Sequence, residues 1–210
     1  MDYTIRRLKQ EETGILDTFL YEAIFIPEGV EAPPRDIINQ PELQVYVDDF
    51  GNRAGDMAFV AEVNDKVVGA VWVRIMDDYG HVDDDTPSFA ISLLKEYRNY
   101  GIGTELMKRM LAELKNCGYK SGSLSVQKQN YAVGMYKKVG FQIVDENDEE
   151  YVTKIDGIIS RHNCQVEKTP FRSKENISAG FVVVPLLMTV VCSIALIINA
   201  RGYVWNIQSK

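Results

Sequence analysis

Cysteine is scarce in this chain. Cys117, Cys164 and Cys192 are the only three in 210 residues. Their number is odd and they form no ligand cluster, so neither a disulfide framework nor a zinc site is expected, and a reducing compartment fits better. The first residues, MDYTIRRLKQEET, hold no apolar run, so no cleavable leader is expected. Internal repeats and low-complexity segments are absent. Positive charge is in deficit: the net charge is −7, which argues against a nucleic-acid partner on bulk electrostatics. With seven prolines, 10% aromatic and 46% hydrophobic residues, the composition is that of a folded chain rather than a disordered one.

The charge is also uneven. Residues 1–155 carry 17 Lys and Arg against 27 Asp and Glu, whereas residues 156–210 carry 6 against 3. An acidic domain followed by a basic tail points to two parts with different surroundings. In the first part the pattern predicts a strand at YTIRRL and a helix through EETGILDTFLYEAIF, whose Ile15, Leu16, Phe19, Leu20 and Ala23 recur at helical spacing. A second helical piece follows around PELQVYVDDF. A strand–turn–strand hairpin is expected over MAFVAEV–NDK–VVGAVWVRIM. SFAISLL is a fourth strand, and the stripe Leu106, Met107, Met110, Leu111, Leu114 marks a helix ending near Gly118. SGSLSVQ is a strand, NYAVGMYKKV a short helix stopped by Gly140, and FQIVDE and EEYVTKI are the last strands. The order β-α-α-β-β-β-α-β-α-β-β is an α/β (α+β) mixture with an antiparallel first half.

Two glycines, Gly101 and Gly103, sit where the fourth strand hands over to the long helix, in EYRNYGIGTELM. The first N–H groups of a helix lack internal partners and carry partial positive charge. Glycine there lets the backbone approach a ligand, so the N–H groups of Asn99, Tyr100, Gly101, Ile102, Gly103 and Thr104 are candidates to cup a phosphate or pyrophosphate. Arg98 either adds a charge-assisted contact or serves the fold. A P-loop is excluded because Gly103 is followed by Thr-Glu instead of Lys-Ser/Thr. A dinucleotide fingerprint is excluded because position 106 is Leu and the preceding strands form a meander.

YRNYGIGTELM together with SVQKQNYAVGMYKKVGF downstream resembles the GCN5-related N-acetyltransferase (GNAT) superfamily: R-x-x-G-x-G after a strand, then N-x-A-x-x-x-Y-x-x-x-G-F. The likeness covers roughly residues 3–152. It implies a twisted, mostly antiparallel sheet that splays between the fourth and fifth strands, flanked by helices. The pantetheine of acetyl-CoA, the acyl donor, would lie in that wedge as an added strand along Ile91, Ser92 and Leu93. An N–H near Leu93 would polarise the thioester carbonyl. Asn130 matches a cofactor-contacting position and reads equally well as a helix cap. Tyr136 matches the tyrosine that assists the leaving thiolate. The implied function is acetyl transfer to a primary amine by direct attack in a ternary complex; the alternative is a non-catalytic acyl-CoA-binding module. A homodimer is compatible with either.

The amine must arrive neutral, which for a lysine-like group costs about 4.6 kcal/mol at pH 7. Where many relatives place a glutamate in the fourth strand, this chain has Ser88 and Phe89. His81, Asp83, Asp84, Asp85 and Glu28 lie in loops, and none of them is singled out as a base.

From Asp156 the pattern lapses into a polar linker, 156–178, and then an apolar run, AGFVVVPLLMTVVCSIALIINA (179–200), with a short tail, 201–210. As a helix, 22 residues reach ~33 Å, enough for a ~30 Å hydrocarbon core. Membrane anchoring is the expectation, with the basic residues Arg161, Lys168, Arg172 and Lys174 placing the 1–155 domain in the cytoplasm. The alternatives are a buried core helix, leaving a soluble cytoplasmic protein, and a tail appended by a reading-frame change.

Overall fold

The computed structural model describes residues 1–158. The expected anchor helix and tail, and the linker beyond residue 158, lie outside them. Among the described residues no helix is long and apolar enough to cross a membrane.

Seven strands form one sheet: β1 (Thr4–Arg7), β2 (Met57–Val63), β3 (Lys66–Arg74), β4 (Ser88–Leu93), β5 (Ser121–Gln127), β6 (Gln142–Glu146) and β7 (Glu150–Asp156), in the spatial order β1-β2-β3-β4-β5-β7-β6. All neighbours are antiparallel except β4 and β5, which run parallel and meet at a single pair, Ser88 with Ser123. The hairpin β2–β3 turns on Asn64 and Asp65, both with positive φ, the conformation that matches strand twist in a two-residue loop.

Helix α3 (Ile102–Asn116) buries Leu106, Met107, Met110 and Leu114 of its expected stripe and Ile102 besides, leaves Leu111 partly buried, and packs on β2 and β3. On the opposite face lies α1 (Leu16–Ala23), which buries Leu16, Phe19 and Leu20 and packs on β4. It is shorter than its apolar pattern, because Gln10–Ile15 winds as a 3-10 helix and the chain turns extended at Ile24. The second helical piece contracts further, to α2 (Pro41–Gln44) followed by turns.

Those turns are held from below. Arg74 is fully buried and binds Asp56 through Nε and Nη2 at 2.8 and 2.7 Å, while Nη1 donates to the carbonyls of Val45 and Asp48. Trp72 donates its Nε1–H to the carbonyl of Tyr46. The segment after α2 is therefore fixed to β3 by side chains that take up carbonyls a continuing helix would use. A last helix, α4 (Val133–Val139), ends at Gly140 in the left-handed region.

Candidate functional site

The single β4–β5 pair is what opens the sheet. Beyond it the two strands diverge, and alternation decides which groups of β4 face the gap. The Leu94 N–H donates to the Val68 carbonyl, so the even-numbered residues of β4 bond to β3. The main-chain groups of Ile91 and Leu93 point to the open side. Those of Ser92 point to β3, and its hydroxyl donates to the Phe19 carbonyl at 2.6 Å. Of the three expected contacts along this strand, then, Ile91 and Leu93 offer free N–H groups to the gap, and Ser92 serves the junction of β4 with α1.

At the end of β4 the chain makes a short 3-10 turn, Lys95–Tyr97, and enters α3. Asn99 and Gly101 both take positive φ, 67° and 81°. The first intrahelical bond runs from the Glu105 N–H to the Gly101 carbonyl. The six N–H groups from Asn99 to Thr104 have no acceptor among the described residues. Gly103 lies in the first helical turn rather than ahead of it. A Cβ there would meet Leu93 Cδ1 at 3.2 Å and Met135 Sδ at 3.4 Å. The glycine is required by this close packing, as Gly101 is required by its φ.

Arg98 is a clasp. Its Nε donates to the Leu93 carbonyl at 2.9 Å, and Nη2 reaches the Glu22 carboxylate at 2.9 Å and the Glu22 carbonyl. The Asn130 Oδ1 accepts from the Ala132 N–H at 2.9 Å, turning the chain into α4. Ile91, Ser92, Leu93, Arg98 and Asn130 nevertheless share one cleft of about 440 Å³, lined as well by Tyr21 to Ile26, Val30 and Ala32. Tyr136 follows Met135, which lines this cleft, but does not itself line it. It is buried in the α3/α4-side core, edge-on to Phe141, and its hydroxyl has no protein partner among the described residues. Burial pushes its phenol well above the ordinary value, so it stays protonated.

The opposite face of the split is polar. The Asp78 carboxylate accepts from the Ser88 hydroxyl at 2.6 Å and from the Tyr46 hydroxyl at 2.8 Å. Ser88 and Ser123, the pair that joins the two halves of the sheet, are both buried. Further along β5, Ser125 and Gln127 hold the buried Glu150 carboxylate at 3.0 Å each. Gly80 carries the loop before β4 directly across β5, where a Cβ would lie 2.8 Å from the Ser125 nitrogen. Burial raises the Asp78 carboxyl above its usual range, although the Ser88 and Tyr46 hydroxyls pull the other way. Tyr46 is raised strongly, by burial first and then by the charge of Asp78.

A family model described as an acetyltransferase (GNAT) domain matches residues 22–155. The chain belongs to the GNAT acetyltransferase family. Among curated relatives it is 38% identical over 111 residues to the probable N-acetyltransferase san of Drosophila melanogaster, covering 50% of this chain and 56% of the fly protein. It is 28% identical over 108 residues to human N-acetyltransferase 8B, covering 51% of this chain and 48% of that one. The chain thus spans about half the length of the curated relatives it matches. The PaiA N-acetyltransferase of Thermoplasma acidophilum, solved in complex with coenzyme A, superposes with a TM-score of 0.56 at 19% identity, over 74% of this chain and 99% of that one. The Escherichia coli ribosomal-protein-S18-alanine N-acetyltransferase gives 0.53 at 15% identity, over 81% and 100%. At these identities the structural likeness is one of fold.

In this GNAT domain, reading the sequence assembled the glycine turn and did not foresee the hydrogen-bonded polar groups Asp78, Tyr46 and Glu150. His81 and Asp83–Asp85 are not at the split. His81 Nδ1 contacts the Met76 carbonyl, and Asp83 accepts from the Asp85 N–H. The one available signal for Asp78 was the alternating serine pattern of β5, which forecasts a polar sheet face and hence a polar partner above it.

Proposed function

We propose that this chain transfers an acetyl group from acetyl-CoA to a primary amine, by direct attack of the amine on the thioester in a ternary complex. The observation that carries the reading is the run of six acceptor-free N–H groups from Asn99 to Thr104, which continues into the open-side N–H groups of Leu93 and Ile91. A pyrophosphate on the helix start and an amide-bearing arm along β4 would satisfy both sets. The CoA-bound fold relative supports the same ligand. Arg98 acts by holding the turn against β4, and Asn130 by shaping the start of α4. The Leu93 N–H is suited to the thioester oxygen, where it gains strength as negative charge develops. Tyr136, kept protonated by burial, donates a hydrogen bond to the departing thiolate. A full proton transfer is the less suited role, since the raised phenol makes that transfer more uphill.

The amine attacks the carbonyl carbon, the C–N bond forms and the C–S bond breaks. The acceptor is a small molecule or a peptide; nucleic acid does not suit the acidic chain. Residues 1–155 are the catalytic domain in this reading. The run 179–200 anchors it to the cytoplasmic membrane face, and a homodimer is an open arrangement for it. Resistance to carbonate extraction of the full chain, set against solubility of residues 1–155, tests the anchor.

A binding module without turnover is the second reading, favoured by the absence of a carboxylate on β4 itself. Calorimetry with acetyl-CoA, followed by thiol release across an amine panel, separates the two. Binding without thiol release from any amine supports the module; no binding overturns both.

A further inference from the structure

Among the described residues that line the cleft with Ile91 and Leu93, Glu22 is the only carboxylate. Its side chain is 12% exposed. Oε2 accepts from Arg98 Nη2 at 2.9 Å, and Oε1 has no donor among the described residues. A mostly enclosed carboxylate with an uncommitted oxygen, on a residue that lines a cleft, is a seat for a cation. Arg98 also fixes where that seat lies. Its Nε is on the Leu93 carbonyl at 2.9 Å, so a single guanidinium group separates the Glu22 carboxylate from the residue whose N–H is read above as the donor to the thioester oxygen.

The rest of the α1 side of the cleft is apolar. After Ala23 the chain turns extended, and Ile24, Ile26, Val30 and Ala32 line the cleft in succession. Tyr21 ties this segment back to α1, its hydroxyl donating to the Pro33 carbonyl at 2.6 Å. Val30 remains 43% exposed, and an apolar ligand would cover it. A donor arm seated on Ile91 and Leu93 leaves this wall to the second ligand of the ternary complex. Lys95, the other cation lining the cleft, begins the 3-10 turn that leads to the phosphate-facing amides.

We propose that the acceptor is a primary amine on an apolar body, docked with its ammonium on Glu22 and its body against Ile24, Ile26, Val30 and Ala32. This rests on the acetyl-transfer reading above. The net charge of −7 draws cations to the surface at large, whereas the cleft offers one carboxylate and then carbon. A second ammonium on the same molecule would meet the apolar wall and lose its water without a partner, so a diamine is disfavoured. An alkylamine and a peptide whose first residue is apolar share the favoured chemistry.

The test measures thiol release by the full chain with acetyl-CoA and hexylamine, 1,6-diaminohexane, or short peptides that begin with leucine or serine. Wild type should use hexylamine with a kcat/KM at least about tenfold above that of the diamine, and the leucine peptide above the serine one by a similar factor. Whichever of hexylamine and the leucine peptide reacts faster identifies the source of the amine, and either ranking supports the proposal. A diamine or a serine peptide used as well as its apolar counterpart overturns it. Val30→Asp, at an exposed position, should lower kcat/KM for hexylamine by about tenfold and raise it for the diamine; an unchanged ratio overturns the docking wall. Glu22→Gln keeps an acceptor for Arg98. It should raise KM for hexylamine by about tenfold or more, with acetyl-CoA affinity changed by less than about threefold. Equal losses for both ligands would make Glu22 only a holder of Arg98 and overturn the proposal while leaving acetyl transfer standing. Acetyl-CoA bound with no thiol released from any acceptor overturns the acetyl-transfer reading, and the proposal with it.

Discussion

On the α3 side of the split, the polar groups without a partner among the described residues are main-chain amides of six consecutive residues, set by two glycines. On the α2 side the polar groups are paired: they are side chains of residues 46, 78, 88 and 150, drawn from four separate elements. The first arrangement is local and survives as long as one turn keeps its shape. The second exists only once the sheet has closed and Arg74 has fixed the turns beneath it.

The largest effect expected from breaking this difference is at Arg74. Arg74→Met removes one partner of a fully buried ion pair and strands Asp56, which costs about 3–5 kcal/mol. Denaturant midpoints should fall accordingly. In the fraction still folded, acceptor turnover should suffer more than acetyl-CoA binding, because the bonds of Arg74 go to Asp56 and to the turns after α2 and none goes to α3. Equal losses on both sides would mean that the two faces are not separately built.

Next comes the turn itself. Gly103→Val forces methyl groups toward Leu93 and Met135, and Gly101→Val holds a β-branched residue at φ 81°. Each should weaken acetyl-CoA binding by about tenfold or more, Gly101→Val through backbone strain of order 1–3 kcal/mol and Gly103→Val by pushing Leu93 and Met135 aside. Calorimetry reads this directly, and unchanged affinity in both variants would remove the turn from the site. Smaller again is Tyr136→Phe. It should lower kcat by roughly tenfold with acetyl-CoA affinity retained, the signature of a contact that strengthens only in the transition state. A phenylalanine variant as fast as wild type would leave Tyr136 as a core residue beside Phe141.

The smallest effect concerns stability and pH. Because the folded state raises the Asp78 carboxyl, its contribution to stability is fully present below the unfolded carboxylate range and is lost as pH rises through the folded value. Asp78→Asn should therefore gain stability relative to wild type between about pH 3.5 and pH 7. Unfolding midpoints at the two pH values check the sign. A variant that instead loses ground as pH rises would show that Asp78 is held in its charged form by more than its hydroxyl partners.

What was legible in the chain follows from the same division. The element order and the glycine turn could be read because helical stripes and turn chemistry are written in consecutive residues, and Gly101 and Gly103 each satisfy a purely local demand. Alternation along β4 was also present in the sequence, but which parity faces the gap depends on where β4 meets β5, and that pairing joins residues 35 apart. Arg98 looked like an anion contact because nothing in EYRNYG announces Glu22. Asp78 was passed over for the aspartate run that follows, since the Asp77–Asp78 pair after a strand carries no mark that one of the two is buried. The short α2 has the same origin: PELQVYVDDF has helical spacing, yet the carbonyls of Val45, Tyr46 and Asp48 are claimed by Arg74 and Trp72. A tertiary demand of that kind overrides a local pattern.

The one-pair contact between β4 and β5 gives a central strand the exchange behaviour of an edge. In the free protein the amide protons of Ile91 and Leu93 have no acceptor across the gap among the described residues, so they should exchange with deuterated solvent far faster than those of Ala90 and Ser92, which alternate with them along the same strand and are bonded to β3. A pantetheine arm seated along the strand would supply the missing acceptors, and the alternating fast–slow pattern would flatten into uniform protection. The same two amides thus act as a reporter of occupancy that needs neither an acceptor nor turnover, and they would register a bound acyl-CoA in a chain that never completes the reaction.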